Sequence, residues 1–163
     1  MTAQERKHIC EDKLKRWMRM KDEIWVAEDD AESVAFSQGS GEPVQSSSIS
    51  DKTFRGAMML ERVEEKRAWV ECIERAMAWL ESERPDIGRL LYGHYGMKYT
   101  RGYKRKWAES FRKSYCQVYG ISKTEYHARR MEGLEEVAYQ ASEAGLLRNC
   151  KQFSSAQNTK KLC

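Results

Sequence analysis

Apolar positions recur at three- and four-residue spacings through most of this chain, and the pattern predicts an all-α fold of long N-terminal helices followed by a C-terminal helix-turn-helix. From Glu5 to Ala27, the residues Ile9, Leu14, Trp17, Met18, Ile24 and Trp25 form one apolar stripe between charged faces. That stripe is expected to dock either on the second helix or on a partner subunit. Residues 28–50 change character: EDDAE is acidic, and SQGSGEPVQSSSIS is rich in Ser, Gly and polar residues. Such a segment buries too little to offset its ordering entropy, so a flexible linker is expected there.

Asp51 to Glu83 reads as one long helix with Asp51 as its N-cap. Met59, Val63, Lys66, Val70, Ile73, Met77 and Leu80 alternate four- and three-residue steps, a heptad-like seam interrupted by Lys66, with Trp69 and Ala76 widening it. Two uses of this seam are open, packing on the helices that follow or a homodimer through 51–83. Pro85 disfavours helical geometry at Arg84 and ends the run. Ile87, Leu90, Leu91 and either His94 or Tyr95 then share the face of a short helix, which Gly93 weakens and Gly96 leaves.

Residues 107–141 carry the most specific pattern. Trp107, Phe111, Tyr115 and Tyr119 are spaced by four along one helix, with the small Cys116 beside them. Gly120 suits a left-handed helix end, Ile121 a buried turn residue, and Ser122 an N-cap, with Glu125 completing a capping box. The next helix puts Tyr126, Leu134, Val137 and Ala141 on one side, with Arg130 at its edge. This is the layout in which a second helix lies in the major groove of DNA with its N-terminal end at the base edges. The candidate contacts are Ser122, Lys123, Thr124, His127, Arg129 and Arg130, with Arg112 and Lys113 toward the phosphate chain. Gly133 costs that helix a little stability, and Leu146 and Leu147 fold back on the core. The domain scheme is therefore an N-terminal helix at 1–27, a linker at 28–50, a helical domain at 51–147 and a disordered tail at 148–163.

Charge sharpens this reading. From Arg89 to Arg130 there are 11 Lys/Arg against Glu109 and Glu125, net +9, whereas residues 1–88 sum to −5 and the remainder to zero. The whole-chain +4 thus conceals a polarised molecule whose positive middle coincides with its best motif. Lys98, Arg101, Lys104, Arg105 and Lys106, interleaved with Tyr99 and Tyr103, are auxiliary phosphate contacts. The partner expected is double-stranded DNA.

Other classes find less support. No run of 18 apolar residues suggests a membrane span, and the first residues lack a signal peptide's apolar stretch, so a cytoplasmic protein is expected. Cys72 and Cys116 fall on apolar helix faces, while Cys10, Cys150 and Cys163 read as surface thiols with no zinc or disulfide spacing. His8, His94 and His127 are too scattered for a local metal motif. No phosphate loop, HExxH, GxSxG or paired carboxylates stand on a convincing scaffold, so no enzyme, cofactor or metal is expected.

The segments Ile49 to Gly96 and Tyr119 to Ala141, the latter YGISKTEYHARRMEGLEEVAYQA, resemble phage late-transcription regulators of the ArpU/RinA type. The C-terminal part of that family is similar to region four of bacterial sigma factors. The departures are Tyr115-Cys116 and Tyr119 where the family has small and aliphatic residues, and the basic stretch before Trp107. The resemblance implies a sigma-like regulator of phage or prophage late genes acting on promoter DNA in a bacterial host. It implies Lys123, Thr124, His127 and Arg130 as reading residues and Ser122 as the residue positioning the helix. Similar units occur in small terminase subunits that package phage DNA and in sigma-like factors that contact RNA polymerase, and these are the alternatives.

Overall fold

A long helix begins at Ala3 because Thr2 and Glu5 cap each other. The Thr2 backbone amide donates to Glu5 Oε2 at 2.6 Å and the Glu5 amide to Thr2 Oγ1 at 3.2 Å, a reciprocal capping box. The computed structural model describes residues 1–37, 49–96 and 104–147, with 31–37 and 49–62 as backbone only. Among these residues it contains α1 (Ala3–Ser37), α2 (Ile49–Glu83), α3 (Pro85–Leu91), a π-helical turn (Tyr92–Gly96), α4 (Arg105–Tyr119) and α5 (Lys123–Glu143). No strand occurs among them, as the spacing pattern predicts.

The boundaries differ from the pattern in one place. The segment expected to be a linker, 28–50, is helical at both ends, since α1 continues to Ser37 and α2 starts at Ile49. Asp51 consequently sits inside the first turn of α2 and does not cap it. Glu and Ala are good helix formers, and an ongoing helix needs no apolar stripe to propagate through them. Glu28 also holds Arg67 of α2 at 2.5 Å. The Ser/Gly-rich centre at 38–48 and the tail at 148–163 lie outside the described residues.

α2 is the central element, packed against α1, α3 and α5. The seam residues Val70, Ile73, Met77 and Leu80 are all buried, with Trp69, Cys72 and Ala76 widening the stripe. Lys66, the interruption, reaches Glu23 of α1 at 2.7 Å. Of the two uses left open for this seam, its second half takes packing within the chain. α1 contributes Cys10, Leu14, Trp17, Met20 and Ile24, which answers where the first helix docks: on α2, with further contacts to α5. Two α1 residues depart from expectation. Cys10 is fully buried rather than a surface thiol, and Trp25 leaves the apolar stripe to stand 67% exposed.

Arg84 leaves the helical region at φ −140° and ψ 68°, consistent with the bar a following proline sets on helical geometry, and α3 turns back onto α2. Two glycines then set how closely the later helices approach. A Cβ on Gly93 would lie 2.1 Å from the tip of the Phe111 ring, so glycine here lets that ring of α4 rest directly on the π-turn backbone. A Cβ on Gly133 would lie 2.6 Å from Leu91 Cδ1 and 2.8 Å from Ile87 Cγ2, so α5 meets α3 backbone to side chain. The expected propensity cost at Gly133 thus secures a helix crossing. Leu147 is buried after Gly145 (φ 73°) turns the chain, with Leu146 N–H donating to Ala141 O at 2.9 Å.

Candidate nucleic-acid interface

The turn between α4 and α5 follows its sequence at Gly120 and Ser122, while Ile121, expected to be buried, is half-buried. Gly120 ends α4 at φ 62°, and Ile121 N–H reaches back to Cys116 O at 3.1 Å, satisfying carbonyls that the helix end would leave open. Ser122 is extended (φ −74°, ψ 161°), and its Oγ accepts from Glu125 N–H at 3.1 Å. The Glu125 carboxylate turns forward to Arg129 Nη2 at 2.7 Å, so the expected reciprocal capping box gives way to an i,i+4 ion pair.

Aromatic residues hold the two helices against the body. Tyr115 packs edge-on to Tyr126 with ring centres 5.6 Å apart, stacks on Tyr119 at 4.3 Å, and donates to Asp86 O at 2.8 Å. The four-residue spacing therefore does align these rings, but only Tyr115 is buried; Trp107 and Tyr119 are each 41% exposed. Tyr126 is fully buried and shares a 2.9 Å hydrogen bond with His94 Nδ1 in the π-turn.

Around that bond lies a polar cluster that pattern reading passed over. Glu11 Oε1 of α1 accepts from Arg130 Nη1 at 3.1 Å and from Tyr95 Oη at 3.2 Å, and Arg130 also reaches Tyr95 Oη at 3.1 Å. Burial works to raise the Glu11 pKa, yet the charges of Arg130 and Lys15 and the hydrogen bonds from Lys15 and Tyr95 hold it below the usual carboxylate value. Glu11 lies in the third turn of α1. No local motif signals the cluster, because its members come from α1, the π-turn and α5.

His94 is held at a pKa of about 4 against a usual 6.5, first by burial and then by the Arg130 charge; His127 and Arg112 act the same way, and Glu11 opposes them. A depressed histidine value means that the unfolded chain takes up the proton first as pH falls. The contribution of neutral His94 is complete above pH 6.5 and declines toward pH 4. Glu11, also depressed, adds loss at the acidic end as pH falls through its folded value. Urea midpoints measured from neutral to acid should therefore drop faster for the wild type than for His94→Gln. Parallel pH profiles would remove His94 from this role.

The expected contact residues divide into two groups. Lys123 and Thr124 are exposed at the N-terminal end of α5, Ser122 is exposed as its cap, and His127 is half-buried one turn on. Lys113 is exposed on α4, and Arg112 is half-buried with its charge felt by His94, Tyr126 and His127. The His127 pKa is lowered by burial and by Arg130, Arg112 and Lys123, so it presents a neutral imidazole at neutral pH. Arg129 and Arg130 face inward. Arg129 binds Asp86 at 3.4 Å besides Glu125, and Arg130 binds Glu11 with only 18% of its side chain exposed. Charge alone does not reveal this, because their acidic partners come partly from distant parts of the chain.

Of the auxiliary cations, Lys104 rests its ammonium 4.5 Å above the Trp107 ring, Arg105 pairs with Glu109 at 3.4 Å, and Lys106 is exposed. Lys98 and Arg101 lie outside the described residues. Among the described residues no group of His, Cys, Asp and Glu could hold a metal ion, and no helix is long and apolar enough to cross a membrane. Compared with family models, with curated proteins and with solved structures, the chain gives no match in any of the three.

Proposed function

We propose that the protein is a sequence-specific, double-stranded-DNA-binding transcription regulator that reads its site with the N-terminal end of α5. The observation carrying this reading is the Ser122-capped start of α5. There Lys123, Thr124 and His127 follow an αL turn at Gly120, with Arg112 of α4 near enough for its charge to act on His127 and Lys113 exposed on α4. The unpaired amides and positive dipole end of a helix start add to the attraction for phosphate. Beyond its second turn α5 carries Glu132, Glu135 and Glu136, engaged by Arg84, Lys7 and Gln140, and offers no further cation to a phosphate backbone among the described residues. Lys123 and Lys113 supply backbone attraction, while Thr124 and the neutral His127 supply hydrogen bonds to base edges. The resemblance of 119–141 to phage late-transcription regulators extends the proposal to late genes of a phage or prophage, with RNA polymerase as a further partner. It carries weight only for that part.

Gel shifts against a selected duplex and random duplex at rising salt provide the test. Affinity for both should fall with salt as counterion release requires, and the selected site should keep an advantage. Replacing Lys123, Thr124 and His127 together by Ala should lower specific affinity by more than about tenfold, given roughly 1–3 kcal/mol for each base contact. Equal affinity for both duplexes at every salt concentration would eliminate site recognition.

A further inference from the structure

Two open clefts along α4 share Phe111 and Ser114 and together form one groove lined by aromatic residues, Val118 and two serines. It runs from Trp107 through Ser110, Phe111 and Ser114 to Val118, and continues past Tyr115 and Tyr119 to Arg89. Val118 is 77% exposed and adjoins Tyr119, itself 41% exposed, in the same cleft. A cation stands at each end: Lys104 over the Trp107 ring and Arg89 beside Val118 and Tyr119. By helical rise the Trp107-to-Val118 stretch spans roughly 16 Å.

The matching surface lies on α1. Trp25 and Val26 are 67% and 50% exposed, and they are bracketed by exposed Asp22 on one side and by Asp29 and Asp30 on the other. None of these three aspartates forms an ion pair among the described residues. Asp22 to Asp29 spans roughly 10 Å, which fits between cations at the two ends of the groove. An apolar pair with anions at both ends thus complements an apolar groove with cations at both ends.

From this complementarity we infer that the α4 groove binds the Asp22–Asp30 segment of a second copy of the chain, head to tail. The two surfaces are different, so the contact is heterologous: each copy offers one groove and one segment, and repetition builds a ring or a filament. The first turn of α5 takes no part in this contact; Lys104, expected as an auxiliary phosphate contact, is the one residue shared with the DNA reading.

Light scattering and sedimentation of the full chain test it. The wild type should form concentration-dependent oligomers that dissociate at high salt. Val118→Glu and Trp25→Glu change exposed side chains, and circular dichroism checks that each variant is folded. Each variant alone should be monomeric. Mixing them should restore mass up to a heterodimer and no further, because one intact groove then meets one intact segment. A monomeric wild type overturns the inference and leaves the groove to a different protein. Oligomers unchanged in either variant, or variants that stay monomeric when mixed, overturn it equally.

Discussion

Gly133→Val should destabilise the protein by about 3 kcal/mol, and Gly133→Ala by about 1–2 kcal/mol, in urea unfolding. The sign is the informative part. Helix propensity alone gives the opposite answer, since Ala in a helix interior is favoured over Gly by roughly 1 kcal/mol. Packing decides against it, because the new Cβ would sit 2.6 Å from Leu91 Cδ1 and 2.8 Å from Ile87 Cγ2. Both neighbours are fully buried, so neither can swing into solvent to make room. Either α5 lifts off α3 or the two side chains leave their rotamers, and both disturb Leu134 and Val137 of the core. Shortening the neighbour should relieve the clash: Leu91→Ala combined with Gly133→Val should cost less than the sum of the two single changes. A more stable Gly133→Ala would mean that α3 and α5 are not in this close contact.

Much of the fold was legible because helices announce themselves locally. The α2 seam, the Arg84-Pro85 break and the Gly120-Ile121-Ser122 turn each rest on residues within a few positions of one another, and each is present. Where the helices meet was less legible. Trp25 matched the apolar period of α1, yet the stripe that α2 and α5 cover runs through Cys10, Leu14, Trp17 and Met20 and leaves Trp25 outside. Cys10 is in register with Leu14 and Trp17, four and seven residues on, so its burial follows from the period, and only its flanking charged residues suggest a surface thiol. The end of α1 was obscured by its acidic composition, which suits a solvated helix as well as a linker.

The candidate interface was legible in its first turn and not beyond it. Ser122, Lys123 and Thr124 are exposed because a capped helix start projects from the body, which sequence can foresee. The pair Arg129-Arg130 looked equivalent to them in a count of charges. Their environment is set by Asp86, from the start of α3, and by Glu11, which is 119 residues away from Arg130. A local charge surplus therefore overstates the cationic surface wherever acidic residues return from distant segments. The +9 of residues 89–130 includes both of these internally paired arginines.

That division gives the second large effect. Arg130→Met should lower stability by about 2–3 kcal/mol, because it leaves a mostly buried Glu11 carboxylate without its guanidinium while keeping the side chain's length. Its DNA affinity, measured at a temperature where it is fully folded, should stay at the wild-type level. Replacing Lys123, Thr124 and His127 together should do the reverse, with little change in stability and a large loss of affinity. The physical ground is that Arg130 contacts Glu11 and Tyr95 and so ties α1 and the π-turn to α5, whereas Lys123 and Thr124 face solvent. Glu11→Gln should recover part of the Arg130→Met loss, since a neutral amide tolerates the vacated site better than an anion, and the pair should be less than additive. The Arg130 Nε is buried with no hydrogen-bond partner among the described residues, so removing it also relieves a cost and keeps the loss below that of a fully satisfied pair. Should Arg130→Met instead weaken DNA binding at unchanged stability, the guanidinium leaves Glu11 when DNA arrives, and α5 reads further along its length than its first turns.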